Sequence, residues 1–192
     1  MRKELVFLLE ERSAKVMLES LLPRMLDERI EFKLIAFEGK QDLEKRMTMR
    51  MQAYLNSEAR FIVMRDQDSS PDCKVLKSKL VEKCKASGKG ERSLVRIACR
   101  ELETFYLADL LAVEKALDIK GVSAKQQVAK FRSPDYLISP SHELKVLTGQ
   151  RYEKISGSRE IGLHLNVEGV RSDSFRNLIE GIKKLEQELL AL

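Results

Sequence analysis

The first 119 residues repeat one pattern four times: a short apolar run, then a longer segment with apolar residues three and four positions apart. The apolar runs occupy residues 4–9, 31–37, 60–65 and 94–98, and their lengths are typical of buried strands. Such alternation predicts a parallel sheet that is covered by helices on both faces and joined by right-handed crossovers. We therefore expect a Rossmann-like α/β fold with four parallel strands, for which we take the order 2-1-3-4.

The segments between these runs carry helix signals. Ser13 is expected to cap the first helix, and a second helix is expected over residues 41–54. Ser70 and the proline after it have the preferences of an N-cap and a first helical residue, so a third helix is predicted from there to Ala86. A single long fourth helix is predicted from the apolar residues Leu102, Phe105, Tyr106, Leu110, Val113 and Leu117.

The alternation stops near residue 120, and glycines and prolines then separate short helical pieces. The last stretch is amphipathic, with its apolar face formed by Phe175, Leu178, Ile179, Ile182, Leu185 and Leu189. This part has few aromatic residues with which to build a core of its own. We therefore expect an α/β domain over residues 1–119 and a helical extension over residues 120–192 that packs on it.

Composition limits the classes of function. No apolar run approaches the ~18–20 residues that cross a membrane, so we expect no membrane association. The apolar start runs into Glu10 and Glu11 without a small-residue cleavage site, so we interpret it as the first strand and not as a signal peptide. Three cysteines without a CxxC motif favour a reducing cytoplasm. The net charge of +5 mildly favours a polyanionic partner but does not by itself indicate nucleic-acid binding.

Two aspartates, Asp66 and Asp68, end the third apolar run one residue apart. In extended backbone their side chains point the same way, and two adjacent negative charges favour a cation between them. Oxygen ligands suit Mg²⁺ above all, or Mn²⁺. The alternative is a polar turn that leads into a helix. The order 2-1-3-4 places Glu10 beside this motif, at the edge where open α/β sheets bind ligands. We therefore expect Glu10, Asp66 and Asp68 to form a metal site.

The end of the fourth strand adds another acidic segment. Residues two apart in a helix point about 200° from each other, so Glu101 and Glu103 cannot both join one site if the helix has begun. Because Leu102 begins the apolar face, we expect Glu101 to turn toward the site, with a salt bridge or first-turn carboxylate as the alternative. Lys40, with Arg65 and Arg100 nearby, is expected to hold phosphate oxygens. The accessory candidates are Glu11, Lys40, Arg100 and Glu103.

Other motifs fit less well. An EF-hand loop starting at Asp66 would need glycine and glutamate where Pro71 and Lys77 stand. No P-loop or dinucleotide-binding glycine motif occurs. A phosphatase-like DxDxS is matched locally, with Asp66 as nucleophile, but no downstream acidic pair follows. That hydrolase remains a minor alternative.

Six segments resemble, in order, the RloG-like bacterial Toprim domain family, which is related to OLD-type nucleases: LEERS (9–13), FEGKQDL (37–43), RDQD (65–68), CRELE (99–103), FRSPD (131–135) and RSDSFR (171–176). The Toprim pattern itself is a glutamate after the first strand and a DxD after the third. It is shared by topoisomerases, bacterial-type primases and OLD-family nucleases.

The resemblance implies a Toprim-like fold and a Mg²⁺- or Mn²⁺-dependent site made of Glu10, Asp66 and Asp68, with Glu101 as a further catalytic acid. It implies cleavage of DNA or RNA as the effector of an ABC-type ATPase in bacterial anti-phage defence. The alternative is a non-catalytic module that docks such an ATPase or binds nucleic acid. A homodimer is a further expectation.

Overall fold

Four parallel strands form the sheet in the computed structural model, which describes residues 2–192. The strands are β1 (Glu4–Leu9), β2 (Glu31–Ala36), β3 (Arg60–Asp66) and β4 (Ser93–Ala98). Their order is β2-β1-β3-β4, so the predicted α/β topology is confirmed. Leu9 pairs with Met64, and Asp66 pairs with Ala98, so the strands end together at one edge.

Helices flank the sheet and continue to the end of the chain. They are α1 (Arg12–Leu21), α2 (Lys40–Gln52), α3 (Cys73–Ala86), α4 (Glu103–Leu107), α5 (Leu110–Ala116), α6 (Ala129–Arg132), α7 (Pro140–Leu147), α8 (Lys154–Gly162) and α9 (Asp173–Leu190). Within the described part of the chain, no helix combines the length and the apolar character that crossing a membrane requires.

Alternate residues of β1 face opposite sides of the sheet, as the period of a strand requires. Leu5, Phe7 and Leu9 belong to a buried cluster that contains the apolar faces of α1 and α9. Val6 and Leu8 belong to a second cluster that contains those of α2 and α3. The central strands are therefore buried on both faces, which explains their continuous apolar sequence.

Residues after 120 share the first of these clusters and pack directly on the α/β part. Tyr152 on the approach to α8 and Ile161 within it are buried beside residues of α1. The helices α1 and α8 approach closely at Gly162, where an added Cβ would lie 2.6 Å from the backbone oxygen of Met17. The predicted boundary after residue 119 lies beyond α5 and stays a prediction.

Two predicted N-caps are wrong. Ser13 is not a cap, because α1 begins one residue before it and its Oγ donates a hydrogen bond to the preceding Glu11 (2.6 Å). Ser70 is not a cap either, because α3 begins after Asp72, whose carboxylate accepts the backbone N–H of Lys74 (2.7 Å). A carboxylate that satisfies an N-terminal N–H is as good a cap as a serine, and here it lies closer to the helix.

The predicted long fourth helix is wrong, because α4 ends at Leu107 and α5 begins at Leu110. Asp109 makes the break: one carboxylate oxygen caps α5 by accepting the N–H of Ala112 (3.0 Å), and the other accepts the N–H of Asn166 (2.8 Å). The apolar spacing continues through the break, so periodicity alone did not reveal it. The aspartate was the available signal.

Candidate functional site

A cavity of about 210 Å³ lies at the carboxyl edge of the sheet, where β1, β3 and β4 end. We call it the acidic cavity, because six carboxylates line it: Glu10, Glu11, Asp66, Asp68, Glu101 and Glu103. All four acids predicted as catalytic are among them. The cavity lies where the strand order reverses between β1 and β3, which is where open α/β sheets bind their ligands.

Glu10 and Asp66 are 56 residues apart in sequence and are joined directly in the structure. The backbone N–H of Glu10 donates to the carbonyl of Met64 (3.2 Å), which continues the pairing of β1 with β3. Glu10 Oε2 in turn accepts the backbone N–H of Asp66 (3.0 Å). The parallel pairing of the two central strands therefore brings these two acids together.

Asp68 reaches the cavity in a different way from the one that the sequence suggested. The strand ends at Asp66, and Asp68 has a φ of 52°, a left-handed conformation that aspartate adopts more readily than most residues. Its N–H donates to the carbonyl of Arg100 (2.7 Å). The loops after β3 and β4 thus hold Asp68 in place, and the expected alternation of an extended chain does not apply to it.

Burial and like charges disfavour ionisation at the centre of the site. Burial raises the pKa of Asp66 well above its usual value, and the neighbouring carboxylates of Glu10 and Glu103 raise it further, against a hydrogen bond from the N–H of Leu102 (3.1 Å). Burial also raises the pKa of Glu10, and nearby Asp68 adds to this effect. Such clusters of perturbed carboxylates in a cavity are typical of functional sites.

Glu101 and Glu103 both line the cavity, so the expectation that only one of them could do so is wrong. The helix begins only at Glu103, with Leu102 as its N-cap, and the helical angle between the two glutamates therefore does not apply. Glu101 accepts the backbone N–H of Ser141 at the start of α7 (2.7 Å). Glu103 is only 1% exposed and accepts the O–H of Tyr152 (2.9 Å).

A buried hydroxyl network lies behind Glu103. The hydroxyl of Tyr152 also lies 3.2 Å from Ser158 Oγ, and both residues are buried. Burial raises the pKa of Tyr152, and the neighbouring Tyr106 and Glu103 raise it further, so its proton stays on oxygen and is donated to Glu103. Burial likewise raises the pKa of Glu103. The hydroxyl of Tyr106 is buried without a hydrogen-bond partner among the described residues.

Two lysines pair with acids of the cavity. Lys40 Nζ lies 2.9 Å from Asp68 Oδ2, and Lys154 Nζ lies 2.8 Å from the carboxylate of Glu11. Lys145 lines the same wall. Arg100 contributes its backbone carbonyl to the site, but its side chain is not part of the cavity wall, so its expected contact with phosphate has no support.

Arg65 does not reach the cavity wall, so its expected contact with phosphate has no support; it instead supports Glu10 from inside the protein. Its guanidinium is buried and forms an ion pair with Glu44 of α2. Its Nε lies 3.7 Å from Glu10 Oε2, beyond hydrogen-bond distance, and has no other partner among residues 2–192. This buried positive charge opposes the effect of burial on the pKa of Glu10.

Sequence reasoning missed four residues of the wall: Ser141, Lys145, Tyr152 and Lys154. All four lie in the helical extension, and no local pattern marks them. They reach the cavity because α7 packs against α4 and α8 packs against α1. Only these long-range contacts could have indicated them.

The donor set fits a hard divalent cation in its chemistry. Glu10, Asp66 and Asp68 each use one carboxylate oxygen in the contacts above, and the other oxygen accepts no hydrogen bond from residues 2–192. Carboxylate oxygens are the ligands that Mg²⁺ and Mn²⁺ prefer. Over the same range, however, no three His, Cys, Asp or Glu side chains stand close enough together to hold a metal ion. The cavity thus gathers suitable donors without a preformed coordination shell.

Comparison with known proteins gives one match. Residues 9–183 match a family described as Domain of unknown function (DUF4276), and this range contains all the residues of the acidic cavity. No curated protein and no solved structure matches the chain.

Proposed function

The chain belongs to the DUF4276 family, whose description assigns no function, so we propose a function on the basis of the acidic cavity. We propose that the protein is a Mg²⁺- or Mn²⁺-dependent nuclease of the Toprim type that hydrolyses DNA or RNA. The observation that carries the proposal is the convergence of Glu10, Asp66 and Asp68 on one cavity at the topological switch point. The resemblance of six sequence segments to RloG-like Toprim domains supports the same reaction class.

The free carboxylate oxygens of Glu10, Asp66 and Asp68 would hold the ion, and Glu101 would complete the acidic wall. A bound divalent cation would polarise the phosphodiester and lower the pKa of an attacking water. It would also neutralise the carboxylates of Glu10 and Asp66, whose pKa values are raised by burial first and by neighbouring carboxylates second.

The lysines supply positive charge for a phosphate. Lys145 and Lys154 stand on the cavity wall, and Lys40 is bound to Asp68. If a cation bound at Asp68 in place of Lys40, Lys40 would be free to contact a phosphate oxygen. Buried Glu103 forms the inner wall and is held in place by its hydrogen bond from Tyr152.

The test is cleavage of plasmid DNA, single-stranded DNA and RNA in Mg²⁺ or Mn²⁺, with the protein alone and with an ATPase partner. We expect cleavage by the wild type, and its loss in Asp66→Asn and Glu10→Gln. Glu82→Gln is the matched control, since Glu82 is an exposed carboxylate on α3 outside the cavity. Equal cleavage by Asp66→Asn, or none by the wild type under any of these conditions, would contradict the proposal.

From the resemblance alone, we also propose that the protein acts in the cytoplasm as the effector of an ABC- or OLD-type ATPase in anti-phage defence. Co-purification of the chain with an ATPase encoded beside it would test this. Failure of the pair to associate at micromolar concentrations would count against the partnership and would leave the nuclease proposal standing.

A second candidate is a non-catalytic Toprim-like module that binds nucleic acid or docks an ATPase. It is favoured by the lysine pairs at Asp68 and Glu11, which neutralise two of the acids without a metal. Thermal unfolding separates the two candidates, because a ligand that binds only the folded state raises Tm. A rise in Tm with Mn²⁺ that disappears in Asp68→Asn supports the metal site. No rise, together with tight binding of nucleic acid, supports the module.

A further inference from the structure

A second depression, of about 630 Å³, adjoins the acidic cavity. We call it the basic groove. Its walls are the first turns of α1, the turn between β2 and α2, and the outer face of α8. Glu11 and Lys154 line both the groove and the cavity, so the two spaces meet at this ion pair. Any chain that lies in the groove is therefore led to the acids.

The groove carries four basic side chains, Arg12, Lys15, Lys154 and Arg159, and three acidic ones, Glu11, Glu19 and Glu38. Glu19 lies between Arg159 (3.2 Å) and Lys15 (3.7 Å), and thus links α1 to α8. Arg12 is exposed and makes no ion pair among residues 2–192. The basic residues thus outnumber the acidic ones by one.

The ion pairs of the groove are weak enough for a phosphate to displace them. The side chains of Lys15, Lys154 and Arg159 are 39%, 50% and 47% exposed. Ion pairs at such positions contribute only about 0–1 kcal/mol, because water and salt screen them. Each of these side chains also keeps N–H donors that its carboxylate partner does not use.

The N-termini of α1 and α2 both border the groove, and neither makes a side-chain cap hydrogen bond. Their free backbone N–H groups add to the positive potential of the basic side chains. Ile155, which is partly exposed on the same wall, offers an apolar contact.

We propose that the basic groove binds, through its backbone phosphates, the segment of a single-stranded nucleic acid that leads into the acidic cavity. This inference rests on the proposed nuclease function and names its substrate class. A single strand is favoured because the cavity, of about 210 Å³, has room for only part of one nucleotide of one strand. In this arrangement Arg12 and Arg159 bind phosphate in the groove, and neither belongs to the cavity wall.

The test is fluorescence anisotropy with a labelled single-stranded oligonucleotide of about 12 nucleotides, within the range that single-strand sites cover. EDTA is present throughout, so that no cleavage occurs. Each phosphate contact contributes about −0.7 to the slope of log affinity against log salt for single strands. The double variant Arg12→Gln/Arg159→Gln should therefore reduce the magnitude of this slope by about 1.4. The control Lys183→Gln, on the exposed side of α9, should leave it unchanged.

An unchanged slope in a double variant whose Tm matches that of the wild type would overturn the inference, and so would tighter binding of a duplex than of a single strand. If the double variant fails to fold, photocrosslinking of a thiouridine-containing strand to the wild type decides: crosslinks within residues 12–19 or 153–159 support the groove, and crosslinks elsewhere refute it. Binding of the strand without cleavage in any metal would refute the nuclease proposal and leave the proposed role of the groove standing. Cleavage together with an unchanged salt slope in the double variant would refute the role of the groove and leave the nuclease proposal standing.

Discussion

Replacing Tyr152 with phenylalanine removes one hydroxyl from the inner wall of the acidic cavity and leaves the ring in place. The ring is 1% exposed and packs against Gly157, where an added Cβ would lie 2.6 Å from it. The lost hydroxyl donates to Glu103 Oε1 at 2.9 Å and lies 3.2 Å from Ser158 Oγ. The variant therefore leaves a buried carboxylate without its side-chain donor.

The size of the effect follows from that burial. A buried acceptor that loses its donor costs about 1–3 kcal/mol, and charged groups lie toward the upper end. In a domain of 150–250 residues, each kcal/mol lowers Tm by about 2–4 °C. We therefore expect Tyr152→Phe to unfold about 2–12 °C below the wild type at neutral pH.

The loss of stability in Tyr152→Phe should depend on pH, and the ionisation of Glu103 sets the direction. Burial raises the pKa of Glu103 in the folded state above its ordinary value of 4.5. Ionisation of Glu103 therefore lowers the stability of the wild type as pH rises from that ordinary value through the raised pKa. Loss of the donor raises the folded pKa further and makes the ionised form costlier. The difference in Tm between variant and wild type should therefore be smallest at acidic pH, where Glu103 is protonated, and should grow as pH rises and Glu103 ionises.

Thermal unfolding followed by circular dichroism at several pH values measures both effects. Tyr136→Phe is the matched control, because it makes the same chemical change at a residue that is 86% exposed, and its Tm should equal that of the wild type. A Tyr152→Phe protein as stable as the control, or a loss of Tm that shrinks as pH rises, would refute the role of this hydroxyl.

Three further predictions concern the cavity and its support. Lys40→Met should lower the metal-free stability by about 0.2–1 kcal/mol, since the ion pair with Asp68 is half-exposed. The same variant should increase the rise in Tm that Mg²⁺ produces, because a competing cation is gone; an unchanged rise in a thermal-shift titration would contradict this. Asp66→Asn should raise the Tm of the metal-free protein at neutral pH. The reason is that an ionised carboxylate whose pKa is raised by folding destabilises the folded state. A Tm below that of the wild type would count against the burial of that charge. Gly162→Ala should cost about 1–3 kcal/mol by overpacking α8 against the backbone of α1, and denaturant unfolding should show no such loss for the exposed Ser156→Ala on the same helix.

Much of the framework was predictable from the sequence. Four apolar runs with helical segments between them predict a parallel, helix-covered sheet, so the fold class followed from the sequence, and the structure confirms the strand order taken for it. The expected order placed Glu10 beside Asp66, and in the structure Glu10 accepts the backbone N–H of Asp66. Helix ends were less predictable. Asp72 caps α3 in place of the expected Ser70, and Asp109 caps α5 inside a stretch whose continuous apolar spacing predicted one helix.

The walls of the site were decided only by tertiary structure. Asp68 lies in the cavity because its N–H is bound to the carbonyl of Arg100, and Glu103 is buried because Tyr152 covers and donates to it. Lys154 arrives on α8, whose close approach to α1 depends on the absence of a side chain at Gly162. Periodicity shows which face of each helix is apolar, because that depends on neighbours along the chain. It does not show which faces meet, because that depends on how all the elements fill one common core.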